Sequence, residues 1–504
     1  MNASFGLGAA RRIGGSSRAR SVAILLGALA AVFVIAERSA HADLLSLERW
    51  ATNQGGWVSS ATWLSGDFDG NGKTDLAYLW VVPGIQVLDA SPFSFLAGSA
   101  SAAVMMDLHL SCDNGSVPCP AGVPNANQEG AFVEQRGGGT TQVQTPSLDD
   151  CNGATGKCQW LSGDFDGDGK TDLAFVAAIK GQISIWVGQS ISPGPSGPGL
   201  FSFCQWASQQ GGWLSQSTWL SGDFDGDGKD DLAYVFNLGG GTISIDVHKS
   251  LGSCQNGAGF SSSRWATNQG GWVSPGAFVA SDFDGDGLLD IGLAWDDGGK
   301  IDLDAHLSTN PGFILQRWAT GQGNWINGSQ WTSVRGRMNT RDRVGGVSMI
   351  SGFFTSGPGT GIGTPGLGDF VYAFNDGGSI SIDGHLADTN VFNYGQSEGV
   401  FNLQRYATRQ GTYPQNVVYL GGDFNGDTVG DVADAFAVNG QIDIDVHRGN
   451  CSGPLDANGN CCPALDNACN GVCCFGTCAS GSGSTNGCCP YGQTCTTTPL
   501  PPPR

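Results

Sequence analysis

The stretch DFDGNGKTD at Asp67–Asp75 sets side-chain oxygens at the first, third, fifth and ninth of nine places: Asp67, Asp69, Asn71 and Asp75. Lys73, at the seventh, offers only its main-chain carbonyl, and Gly72 at the sixth permits a sharp turn. Hard oxygens at this spacing are what calcium takes, as at the start of an EF-hand loop. There is no helix-borne Glu at the twelfth place; Asp75 opens an apolar run instead, so the loop should join two strands. The pattern recurs as Asp164, Asp166, Asp168, Lys170 and Asp172, then as Asp223, Asp225, Asp227, Lys229 and Asp231. A fourth copy is Asp282, Asp284, Asp286, Leu288 and Asp290, and a variant is Asp423, Asn425, Asp427, Val429 and Asp431. Five copies in phase predict about five Ca2+ sites. Carboxylates packed so closely repel without a cation, so binding and folding should be coupled, each ion stapling a hairpin.

These loops belong to a larger repeat. Asp164, Asp223 and Asp282 follow one another at intervals of 59 residues. Each loop leads into an apolar run such as DLAYVFN (Asp231–Asn237), then into an alternating run such as TISIDVH (Thr242–His248). That alternation puts Ile243, Ile245 and Val247 on one face and Ser244, Asp246 and His248 on the other, which is strand periodicity. A further run closes on RWATNQGGW, at Arg49–Trp57 and again at Arg264–Trp272, with looser copies ending at Trp213, Trp325 and Tyr413. Four short strands per unit, repeated, predict an all-β propeller of four-stranded blades, and six units can be counted. The first carries insertions, the second replaces its RWATNQGGW copy by a Cys151–Cys158 loop, and the fifth is interrupted between Arg335 and Asp369. In that fifth unit Arg335 and Arg337 stand where acids should, so its blade must hold without a metal.

The last unit stops at QIDIDVH (Gln441–His447) without a fourth strand, whereas LLSLERWAT (Leu44–Thr52) is a fourth strand with no blade before it. If one completes the other, the ring closes by joining both chain ends and leaves no sheet edge open there.

The DxDxDGxxDL loops at Asp67, Asp164, Asp223 and Asp282, with the variant at Asp423, resemble the FG-GAP/VCBS repeat family, over roughly residues 44–448. These are the calcium-loop propellers of integrin α-subunit heads and of secreted bacterial and fungal proteins. The resemblance implies a calcium-binding propeller, with seven blades in the best-known members. It also implies a binding role, since some members are lectins and others adhesion modules.

A sugar site wants a flat aromatic face and amides that bond hydroxyls in both directions. The repeated segment supplies both: Trp57 with Asn53 and Gln54, Trp213 with Gln210, Trp272 with Asn268 and Gln269, Trp325 with Gln322, and more weakly Tyr413 with Gln410. Several equivalent weak sites would give avidity for a glycan-coated surface. Packing is the competing role. The first Trp of each copy (Trp50, Trp265, Trp318) is expected to wedge between blades, and the second is divided between packing and ligand. Five histidines fall in a D-x-H step, as Asp246/His248, where a polar ladder is expected between blades. No Ser–His–Asp order or HExxH is present, so a hydrolase lacks its constellation.

The flanks point to export. Arg11, Arg12, Arg18 and Arg20 precede the apolar Ser21–Ala36, and AHA at Ala40–Ala42 is a cleavage signal, so residues 1–42 read as a signal peptide. No later segment is apolar for long enough to span a membrane. Of sixteen cysteines, ten crowd into Cys451–Cys495, which predicts a small disulfide-rich module over 450–496, similar to granulin or knottin modules, ahead of a flexible 497–504 tail. A formal charge of −21 argues against nucleic acid as partner. The whole predicts a secreted, calcium-held propeller (43–449) that binds glycans or extracellular surface proteins and is not an enzyme.

Overall fold

The computed structural model describes residues 45–82, 103–112, 131–136, 157–190, 201–254, 257–333, 367–388, 399–426, 430–449, 466–469 and 472–475. All lie in a compact unit running from Leu44 to Arg504. The proposed signal peptide, the first-unit insertions, Arg335 and Arg337, and most of the cysteine-rich segment lie outside the described residues.

The alternating runs become strands. After β1 (Leu45–Ala51) come β2 (Thr62–Gly66), β3 (Asp75–Val82), β4 (Ala103–Ser111) and β5 (Phe132–Arg136), which make one antiparallel sheet. The second is β6 (Cys158–Gly163), β7 (Asp172–Ile179), β8 (Gln182–Ser190) and β9 (Phe201–Ala207). The third is β10 (Ser217–Gly222), β11 (Asp231–Asn237), β12 (Ile243–Ser250) and β13 (Phe260–Ala266). The fourth is β14 (Gly276–Ser281), β15 (Asp290–Asp297), β16 (Lys300–Ser308) and β17 (Phe313–Gln322). The fifth is β18 (Gln330–Ser333), β19 (Phe370–Asp376), β20 (Ser379–Asp388) and β21 (Val400–Gln410). The sixth is β22 (Val417–Gly422), β23 (Asp431–Val438) and β24 (Gln441–Gly449), completed by β1. Asp466–Cys469 (β25) and Val472–Phe475 (β26) form a separate hairpin.

First strands adjoin first strands in the cyclic order β2, β6, β10, β14, β18, β22 and back to β2. This is a six-bladed β-propeller, the six counted units rather than the seven of the family's best-known members. Its closure is the expected one: Leu45 pairs Gly449 and Leu47 pairs His447. The closing blade is also clasped from the fifth. Gln410 Nε2 donates to the Leu45 carbonyl at 2.6 Å, while its Oε1 lies 2.9 Å from His447 Nδ1.

Aromatic rings fill the spaces between blades. The first Trp of each segment is buried and tilts onto the outer-strand Phe of the next blade: Trp50 on Phe132, Trp206 on Phe260, Trp265 on Phe313, Trp318 on Phe401. The Phe at the second place of each acidic loop meets the same ring edge-on, as Phe165 with Phe260 and Phe224 with Phe313. The wedge is therefore a three-ring contact built from two repeats. In the fifth blade Tyr406 replaces the Trp, and Gly384 stands where other blades have Leu108, Val187, Val247, Ala305 and Val446. A Cβ at Gly384 would overlap the Tyr406 ring. Gly384→Ala should cost about 1–3 kcal/mol, read as a lower midpoint in urea unfolding; an unchanged midpoint would show that the ring moves aside freely.

Candidate metal centres and the blade-linking segments

The first Asp of each acidic loop is the hub about which the loop turns. In the first blade Asp67 Oδ1 accepts the N–H groups of Gly70 and Asn71 at 2.9 and 3.0 Å, and Oδ2 accepts that of Gly72 at 3.1 Å. Asp164 and Asp223 repeat all three bonds. Gly70 and Gly72 have φ of 79° and 99°, left-handed values that bar most side chains. The ninth-place Asp closes the site from the strand side. Its Oδ1 accepts the N–H at the end of the blade's third strand in every blade: Asp75 from Ser111, Asp172 from Ser190, Asp231 from Ser250, Asp290 from Ser308, Asp431 from Gly449. In the fifth blade Asp369 does so from Ala387. The chain there regains the ninth-place acid after the interruption, which its sequence alone does not make evident.

Hub, third-place and ninth-place acids converge. Asp67, Asp69 and Asp75; Asp164, Asp166 and Asp172; Asp223, Asp225 and Asp231; and Asp282, Asp284 and Asp290 each bring carboxylate oxygens within 4.8 Å of one another. Burial raises the pKa values of Asp75, Asp164, Asp172, Asp223, Asp231, Asp282, Asp284 and Asp290, neighbouring carboxylates add to the rise, and the loop N–H bonds pull the other way. Asp172 is pushed up to about 8, Asp231 to about 9, Asp164 and Asp282 to about 7 and Asp223 to about 6. Asp75 and Asp290 rise well above the ordinary carboxylate range. Asp231 Oδ2 is buried with no hydrogen-bond partner. Oxygen-only donors, crowded and desolvated, are what a hard cation satisfies, so the residues fit a metal. In the sixth blade Asp423, Asn425 and Asp431 hold the same places, while Asp427 and Val429 lie outside the described residues.

The loops are also tied to one another. Thr171, at the eighth place of the second loop, donates its N–H to the Asp67 carbonyl at 2.7 Å, and its Oγ1 accepts the Asp67 N–H at 2.9 Å. Thr74 bonds Asp423 in the same two ways, and Asp230 bonds Asp164 with a carboxylate in place of the hydroxyl. Leu289 and Gly368 donate main-chain N–H groups to the carbonyls of Asp223 and Asp282. An ion fixing one hub thus stiffens its neighbour. The sequence carries no signal for these eighth-place contacts, because their partners lie at least a whole repeat away.

The Trp–Gln–Gly segments run past a bulge in the fourth strand and pin to the glycine turn of the same blade. The N–H groups of Trp57, Trp213, Trp272, Trp325 and Tyr413 reach the carbonyls of Gly440, Gly181, Gly241, Gly299 and Gly378 at 2.8–3.0 Å. Each second aromatic is half-buried and lies on the ring six residues on: Trp57 on Trp63, Trp213 on Trp219, Trp272 on Phe278, Trp325 on Trp331. Gln322 is engaged between blades, its Oε1 accepting the Leu403 N–H at 3.1 Å. Gln210 Nε2 bonds the Ser208 carbonyl, and the Oε1 atoms of Gln54 and Gln269 are buried without a partner. Asn53 and Asn268 are exposed, at left-handed φ of 54° and 57°.

The D-x-H steps differ from the expected ladder between blades. Asp246 pairs with Arg264, Asp304 with Arg317, Asp383 with Arg405 and Asp445 with Arg49, all within one blade. Each guanidinium also lies over a ring on the second strand, as Arg264 over Phe236. The Arg of RWAT is thus the direct cross-strand partner of the Asp on the adjacent third strand. The second blade has Gln205 for the Arg and Trp186 for the Asp, losing both together. The imidazoles of His109, His248 and His385 instead lie against Trp63, Trp219 and Trp331.

Cys204 and Cys254 form a disulfide from the second blade's outer strand to the segment after β12, and Cys112 and Cys158 are also disulfide-bonded. Among the described residues no helix is long and apolar enough to cross a membrane.

No protein-family model matches the chain. No curated protein matches it either. Among solved structures it is similar to AofleA from Arthrobotrys oligospora, at 7% identity and a TM-score of 0.37, covering 80% of this chain and 86% of that one. A protein of unknown function from Dyadobacter fermentans follows at 9% identity and a TM-score of 0.34, covering 80% and 99%. A family 43 arabinoxylan arabinofuranohydrolase from Bacillus subtilis gives 13% identity and a TM-score of 0.29, covering 77% and 79%. At these scores the likenesses say nothing about what this chain binds.

Proposed function

We propose that the chain is a secreted calcium-binding propeller of the FG-GAP/VCBS type, acting as an extracellular binding protein with carbohydrate as its leading ligand class. The observation that carries it is the set of four equivalent carboxylate triads, each with its oxygens within 4.8 Å. Size and donor type favour Ca2+, which accepts many oxygens in flexible geometry. Disulfides at Cys204–Cys254, Cys112 and Cys158 support an oxidising compartment. Binding rather than catalysis is supported by the ionisable groups outside the loops: Asp246, Asp304, Asp383 and Asp445 are paired with arginines, and His109, His248 and His385 are buried against rings. For sugars, the support is repetition. In the chain, exposed Asn53 and Asn268 precede half-buried Trp57 and Trp272, with glycines between them.

A protein-adhesion module is the second reading, favoured by the engagement of Gln322 and Gln410 between blades. A glycan array with the mature chain in calcium separates the two. Because Trp57 packs, the informative variant is Asn53→Gly/Asn268→Gly, which removes the amides while tolerating the left-handed backbone. Binding that falls at least fivefold in the variant and disappears in EDTA is expected for the sugar reading. Absence of binding to every glycan, or binding indifferent to the variant, would remove it.

A further inference from the structure

The four triads have nearly identical ligands, but the side chains leaning on them differ. The residue that precedes the strand-end N–H donor is Leu110, Gln189, Lys249 and Leu307 in the first four blades, and where it is polar it reaches the third-place carboxylate. Gln189 Nε2 donates to Asp166 Oδ2 at 2.6 Å, and Lys249 Nζ forms an ion pair with Asp225 Oδ2, whose side chain is 3% exposed. The seventh-place residue adds a second contact. Lys170 Nζ lies 2.5 Å from Asp168 Oδ2, and Lys229 Nζ lies 2.6 Å from Asp227 Oδ2. The fourth loop has Leu288 there. The loop at Asp223 therefore carries two ammonium groups on its acids and the loop at Asp164 one ammonium and one amide, while the fourth blade has leucine, Leu288 and Leu307, at both places. In the sixth blade the corresponding Arg448 pairs with Glu48 at 3.5 Å.

We propose that the metal sites fill in a graded order, the loop at Asp282 first and the loop at Asp223 last, and that Lys249 sets the last. This rests on the calcium reading given above. An ammonium bonded to a ligand carboxylate withdraws part of the charge that would hold the ion and stands a few ångströms from a divalent cation of like sign. Because Asp225 is buried, solvent screens that repulsion less than it would at an open surface. The same ammonium neutralises the loop when calcium is scarce, so the third blade keeps its loop closed without an ion. Lys249 is a residue that determines affinity, not a ligand.

Calorimetric titration of the full mature chain with CaCl2 tests this, comparing wild type with Lys249→Leu, Lys249→Arg and Asp227→Ala. Leucine is what the first and fourth blades carry, and Asp227 is exposed, so each variant should fold; circular dichroism checks that. Wild type should show a weak site that Asp227→Ala removes. Lys249→Leu should tighten that site about tenfold without changing the number of sites, and Lys249→Arg should leave it weak. A Lys249→Leu isotherm that superimposes on wild type, while Asp227→Ala still removes a site, would overturn the role of Lys249 and leave the calcium reading standing. No calcium-dependent heat and no calcium-dependent rise in melting temperature in any of the four proteins would overturn the calcium reading, and this proposal with it.

Discussion

Removing divalent cations with EDTA should lower the melting temperature by about 10 °C or more, and restoring calcium should recover it. Each ion that binds only the native ring stabilises it by about 2.7 kcal/mol when free calcium is a hundred times the dissociation constant. Four triads acting alike would contribute on the order of 10 kcal/mol, comparable with the whole stability of an ordinary domain. A chain of this length shifts by only a degree or two per kcal/mol, fewer than a small domain does, which sets the expected size. The sites should also act jointly, because the hubs at Asp67, Asp164, Asp223, Asp282 and Asp423 each bond the eighth-place residue of the next loop. Asp290→Asn would isolate one of them. Its side chain can still accept from Ser308, as Asp290 does at 2.7 Å, but it brings no charge to the triad. The variant should lose roughly a quarter of the calcium-dependent gain while melting near wild type in EDTA. Equal melting temperatures with calcium and with EDTA would mean that the lysines and loop amides already satisfy the acids and that the triads are not cation sites.

The blade architecture was legible because a propeller writes its fold in a period. The interval of 59 residues from Asp164 to Asp223 and from Asp223 to Asp282 puts each of these loops at the same place in its repeat, and hence at the same corner of its sheet. The closure was legible for the same reason, since β1 is a fourth strand without a blade and β24 lacks its neighbour. What the period could not show is how one repeat leans on the next. The side-chain contacts of Thr171, Asp230 and Gln322 reach into another repeat, and their polar character alone says only that they are exposed or bonded. The Trp–Gln–Gly segments show the same limit. A Trp on a Gly-rich loop reads equally as a sugar platform or a wedge, and the ring it lies on, six residues later, decides how much face is left. Asp246 was read with His248 because the two share a strand face, yet its partner Arg264 comes from the neighbouring strand, where a cross-strand contact outweighs sequence proximity.

Acid should unfold this protein more steeply than its carboxylates alone would. His109, His248, His306 and His385 are buried, with neither ring nitrogen bonded to a protein partner. Burial pushes His109 and His385 down to about 3 and His248 and His306 to about 4. The sign follows from which state takes the proton first. In the unfolded chain these imidazoles protonate near pH 6.5, while the native ring stays neutral until about pH 4, so stability is lost as pH falls across that window and changes little below it. Each imidazole contributes about 1.4 kcal/mol per pH unit there, and four together roughly 5 kcal/mol per unit. His447 is a different case, because its Nδ1 has an acceptor in Gln410 and its Nε2 lies 3.3 Å from Asp434. The acidic loops also titrate, with the opposite sign when no cation is bound, so the test has to be differential. His248→Leu removes one imidazole from its place against Trp219; the second blade already dispenses with it, having Gly188 there with the Phe203 ring filling the space. Urea unfolding of variant and wild type at pH 6.5 and pH 4.5, at one calcium concentration, cancels everything the two share. The variant should gain roughly 2 kcal/mol on wild type between the two pH values, because the unfolded imidazole goes from half to fully protonated across them. Parallel pH profiles would mean that the imidazole is hydrated in the native ring and titrates there as it does in the open chain.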